Sequence, residues 1–146
     1  MGIASGAEGR WSRVPERMPI EDRDRLAEAV AEQLLARWGI VFRDVTLREN
    51  LALPWREVAW ALRRLEARGV IRGGRFVSGF TGEQFALPEA LEGLARVRAT
   101  PRAGQRVCVL GSDPLNLVGI LTPGERTPAV QHREVVYVDG LPEPAR

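Results

Sequence analysis

The chain has 146 residues, 45% of them apolar and 27% charged, with a net charge of +2, which suits one ordinary folded domain or two small ones. No apolar run reaches the roughly 18 residues of a membrane span, and Met1 to Arg13 lacks an apolar signal core, so a cytoplasmic location without a membrane partner is expected. All 21 basic residues are arginine, which excludes the lysine of a P-loop or a Schiff base, while a single histidine (His132) and a single cysteine (Cys108) exclude a Cys/His zinc site and an internal disulfide.

In chain order, residues 1–20 read as an extended lead-in, because Pro15 and Pro19 oppose helix. A helix is predicted over 21–38, with Glu21 or Asp22 serving its first turn. Leu26, Val30, Leu34 and Trp38 form its apolar stripe, and Gly39 stops it. A short second helix is predicted over 40–49, with Val41, Val45 and Leu47 facing inward. Pro54 opens a third helix running to Arg68 with Val58, Leu62 and Leu65 buried, and Gly69 ends it. In Val70 to Val77, two β-prone pieces flank Gly73-Gly74, a hairpin signal. Phe80 to Leu87 is a third strand or turn region. Pro88 opens a helix to Arg98 whose inner face is Leu91, Leu94 and Val97.

From Gln105 the character changes. Val107 to Leu110 is a short apolar strand in which Cys108 is expected to be a buried small hydrophobe. Leu115 to Leu121 is a second apolar stretch, and Glu134 to Val138 a further strand ending at the turn pair Asp139-Gly140. The fold class is therefore α+β. A winged helix-turn-helix, three helices plus a β-hairpin wing, is expected over 21–87. Residues 88–146 would form a helix and a small antiparallel β unit packed on it.

That layout makes the third helix the candidate reader of a polyanion. Its outer face would present Trp55, Arg56, Arg63, Arg64 and Trp60. The hairpin would carry Arg72 and Arg75 either side of Gly73 and Gly74. Guanidinium groups bond phosphates or guanine edges bidentately. With a net charge of only +2, affinity for nucleic acid must come from local arginine clustering. Arginine on an outward face also serves as plain solvated surface, and Trp55 and Trp60 suit packing as well as base stacking. Asp113, before Pro114, suits capping of its own backbone.

Several blocks carry a resemblance: Gly9-Arg10-Trp11-Ser12, Arg37 to Asp44, Pro54 to Glu57, Arg63 to Gly69, Ile71 to Pro88, Asp113 to Gly124 and Val136 to Gly140. Together they resemble the C-terminal region of Lhr-type (large helicase-related) DEAD/DEAH-box DNA helicases, over about residues 9 to 141. The blocks from Ile71 and from Asp113 are long and specific. Trp38 and Ile40 depart from the family pattern. The resemblance implies a role beside two RecA-like motor domains in repair-linked DNA unwinding. Those motors are not expected in this chain, which would be a detached C-terminal piece, a truncated product or a stand-alone relative.

Three readings follow. The first is a DNA-binding accessory module, taking single-stranded, duplex or forked DNA, with Lhr motor domains as partner in cis or trans and no cofactor or metal. The second comes from the resemblance, because uracil-DNA glycosylase activity is attributed to some family members. Such chemistry needs a carboxylate near a flipped nucleotide. Asp139, in the closing block, is the first catalytic candidate, ahead of Asp113 and Glu83. The third is an interaction role for the apolar strands after Gln105.

Overall fold

The protein is described by a computed structural model over residues 19–51, 53–129 and 133–143. Most of the expected lead-in, including Gly9 to Ser12 and Pro15, lies outside the described residues, as does His132.

Helix α1 spans Arg23–Trp38. Asp22 caps it, its carboxylate accepting from the amides of Asp24 and Arg25 at 2.9 and 3.0 Å. Gly39 ends it in the left-handed region at φ 69°, its amide donating to the Leu35 carbonyl. The chain then makes a two-residue strand β1 (Ile40–Val41), a four-residue helix α2 (Arg43–Thr46) and helix α3 (Trp55–Ala67). Strands β2 (Arg72–Gly74) and β3 (Gln84–Ala86) follow, and the sheet order is β1-β3-β2, antiparallel throughout. This is a winged helix. Ala27, Ala31, Leu34 and Leu35 of α1 meet Val58, Ala61, Leu62 and Leu65 of α3, with Val41 and Phe85 of the sheet and Ile71, just before β2, closing the core.

Two expectations need correction here. The second helix is only four residues long, because Ile40 and Val41 are drawn into the sheet opposite Ala86 and Phe85. Leu47, past its end, is exposed. Gly73-Gly74 is not the hairpin turn either: both residues lie inside β2, paired with Phe85 and Gln84. The turn is the segment 75–83, where Gly79 and Gly82 both adopt φ 88°. The paired glycines answer a packing need instead. A Cβ on Gly73 would run into the Glu66 carboxylate, and one on Gly74 would meet the Phe76 ring at 2.7 Å.

The wing is held by a buried amide. The Gln84 side-chain oxygen accepts from the amides of Phe76 and Val77, both at 2.8 Å, and its nitrogen donates to the Val77 carbonyl at 2.8 Å. Three backbone groups that no strand partner reaches are thereby satisfied. Phe80, farther along the wing, lies 4.5 Å from the Phe42 ring, centroid to centroid.

Helix α4 (Pro88–Ala99) starts on its proline and buries no residue fully. Leu91 and Leu94 are half-buried, but Val97, expected on the inner face, is 72% exposed. A second antiparallel sheet, in the order β4-β5-β6, comprises β4 (Arg106–Leu110), β5 (Glu134–Val138) and β6 (Leu141–Pro142). The apolar stretch Leu115 to Leu121 forms turns rather than a strand. Cys108 is exposed, not buried, because β4 has little packed against it. The Arg48 guanidinium donates to the Ile120 carbonyl at 2.8 Å, linking this half to the winged helix.

Candidate nucleic-acid interface

Helix α3 sorts its arginines by the helical period. At 3.6 residues per turn, Arg56, Trp60 and Arg63 fall on one stripe, opposite the buried Val58, Leu62 and Leu65. Arg56 is exposed, and Trp60 is 58% exposed. The Arg63 guanidinium carbon lies 6.0 Å from the Trp60 ring centroid, and its Nη2 donates to Glu83 of the wing at 2.6 Å. That pair joins helix and wing.

Arg64, one residue on, is turned by about 100°. It faces α1, donating to the Asp24 carbonyl and pairing with the Asp24 carboxylate at 3.6 Å. Glu57 lies on the same flank and takes a bidentate pair from Arg23 at 2.7 and 2.8 Å. The Arg23 hydrogen bond holds the Glu57 carboxyl below its usual range. This flank is a structural seam between α1 and α3.

Trp55 is half-buried and packs against the core. The remaining wing residues divide as well. Arg75 lines a cleft with Glu66, Gly82, Glu83 and Phe85, next to the α3 stripe. Arg72 opens β2, one residue before Gly73. It borders another cleft with Gly69, Phe76 and Pro88. Glu66 sits between the two clefts, its carboxylate accepting from the Gly73 amide at 3.1 Å. The contacts thus tie Arg63 to Glu83 of the wing, which also lines the Arg75 cleft, and Arg64 to Asp24 of α1, while Arg72 borders the neighbouring cleft and Trp55 the core. Among the described residues, Arg56, Arg72 and Arg75 form no ion pair. Trp60 shares the outer stripe of α3 with Arg56 and Arg63, as its spacing from them signals.

The candidate catalytic carboxylates have other tasks. Asp139 sits at φ 48° in the turn after β5. One of its oxygens accepts from the amides of Ala103 and Gln105 at 3.3 and 2.9 Å, the other from Gly104 at 3.0 Å. These amides, Gly104 foremost, hold its carboxyl below the usual range. Both oxygens thus help to order the segment before β4. Asp113 accepts from the Leu115 amide at 2.8 Å, as a turn aspartate does. Glu83 is engaged by Arg63. Among the described residues, no group of three or more His, Cys, Asp or Glu side chains is arranged to hold a metal ion, and no helix is long and apolar enough to cross a membrane.

Comparison with known proteins agrees with this architecture. Residues 20–106 match the family described as large helicase-related protein, winged-helix domain. The chain is also similar to the Lhr helicase/uracil glycosylase of Escherichia coli (strain K12), 35% identical over 124 residues. That alignment covers 83% of this chain and 8% of the relative, so the chain spans less than a tenth of the relative's length. With a helix order, an antiparallel wing and a sequence match that coincide over the same residues, the chain belongs to the winged-helix domain family of large helicase-related proteins.

Proposed function

We propose that this chain is a DNA-contacting accessory module of an Lhr-type helicase, gripping phosphates with the outer face of α3 and the root of the wing. The observation that carries the reading is the stripe Arg56, Trp60, Arg63, continued across the Arg63–Glu83 pair to Arg75. Arg56 and Arg75 are exposed and, among the described residues, free of ion pairs, so their guanidinium groups are available to phosphates. Arg63 is preset by Glu83, and a phosphate can compete with that exposed carboxylate at little cost, because exposed ion pairs are weak.

Fluorescence anisotropy with single-stranded, duplex and forked DNA at two salt concentrations tests this. Affinity should fall steeply with salt, and Arg56→Ala and Arg75→Ala should each lower the salt slope by about 1. Arg64→Ala, on the α1 seam, should leave the slope unchanged. Absence of binding to every form at low salt ends the reading.

A second reading is favoured by the exposed Leu110 and Leu141, which strand alternation and register put on one face of the second sheet. In a chain whose relative is far longer, this apolar surface suits docking against other parts of an Lhr-type helicase, in cis or in trans. Light scattering across a concentration series is the check; a strictly monomeric chain that also ignores added motor domains counts against it. Uracil excision is named for the relative. Asp139→Asn, assayed on uracil-containing DNA, separates its turn-holding role from a catalytic one.

A further inference from the structure

We propose that Trp60 is a stacking platform for an unpaired base, so that this surface prefers single-stranded or unpaired junction DNA to intact duplex. The inference deepens the DNA-contacting reading and rests on it. Trp38 and Trp55 are each tied into the fold. The Trp38 indole donates to Glu49 at 2.8 Å, and Trp55 packs on the core. Trp60 is different: the residue is 58% exposed, and among the described residues its indole nitrogen makes no hydrogen bond.

Its surroundings point to the ligand's chemistry. Arg56 lies one turn before it and Arg63 one turn after, on the same stripe. No other large apolar side chain of α3 is exposed. An apolar protein partner would need a contiguous patch, which a lone ring between two guanidinium groups does not supply. A base stacked on the ring, with its flanking phosphates on the arginines, uses all three groups. Bases offer their faces only when unstacked, whereas a duplex presents edges and phosphates. Arg63, at 6.0 Å from the ring centroid, adds a cation beside the same platform.

The test measures binding of the whole chain to a labelled oligothymidylate, to an abasic strand of equal length and to a blunt duplex of equal phosphate number. Trp60→Ala should weaken oligothymidylate binding by about tenfold and leave duplex and abasic-strand binding within about twofold. Trp60→Phe should recover most of the loss. Equal losses on all three ligands, or none on any, overturn the proposal. If duplex binding still depends on Arg56 and Arg75 while Trp60→Ala is silent, only the stacking inference fails. If wild type binds no DNA, both readings fail. A dimer abolished by Trp60→Ala would assign the ring to self-association and overturn it too.

Discussion

The two halves of the chain reach order by different means. From α1 to β3, a dozen buried residues form one continuous apolar core. Beyond α4, the buried side chains among the described residues are few: Val118, Val135 and the polar Asn116. There the polar groups hold the shape. Asn116 donates to the Gly111 carbonyl and accepts from the Val118 amide and the Tyr137 hydroxyl, each at 3.3 Å. Asp139 gathers three amides of the segment before β4. The contrast teaches that apolar burial can rigidify a platform for arginines, while a thin sheet stays ordered through local hydrogen bonds and keeps apolar surface exposed.

Core truncation tests that contrast most severely. Leu62→Ala should cost about 2–5 kcal/mol in urea unfolding, because Leu62 is fully buried between α1 and α3. Val135→Ala should cost clearly less. Equal costs would mean that the second sheet shares the main core.

Hydrogen-bond deletions come next. Asn116→Ala leaves buried partners unsatisfied and should cost about 1–3 kcal/mol. Hydrogen exchange should speed up around 111–122 and not in α1 or α3; acceleration in both halves would erase the distinction drawn here. Gln84→Ala is the counterpart within the winged helix. It strips the amides of Phe76 and Val77 of their acceptor. It should cost a similar amount, loosen the wing, and weaken DNA binding through Arg75 while leaving α3 protected.

The smallest effect is a pH dependence. The Asp139 carboxyl is held below its usual range by backbone amides, so it contributes stability above the unfolded value of about 3.9 and loses it as pH falls through the folded value. Asp139→Asn should therefore lower the Tm near neutral pH, and the gap to wild type should close as pH falls through the lowered folded value. A gap that persists there would locate the effect in shape rather than charge.

Much of the winged helix was readable residue by residue. Asp22, Gly39, Pro54 and Gly69 mark helix ends through backbone chemistry that is local, and Val58, Leu62 and Leu65 mark a face by period alone. Gly73-Gly74 misled because a glycine pair signals a turn when only neighbours are considered. In space the pair lies against Glu66, seven residues before Gly73, and the Phe76 ring. Cys108 misled because its apolar neighbours imply burial, which needs a covering layer that β4 lacks.

The candidate site divides along the same line. By itself the sequence determined the element types, the inward stripes and the family resemblance, since caps, periodicity and motif blocks are properties of nearby residues. Only the tertiary structure decided which partners the arginines meet. Arg63 meets the wing and Arg64 meets α1, Arg75 lines a cleft with Glu83, and Asp139 spends its oxygens on amides more than thirty residues distant in sequence. Charge pairing and exposure depend on which segments become neighbours in space, and that is settled by packing across the whole chain.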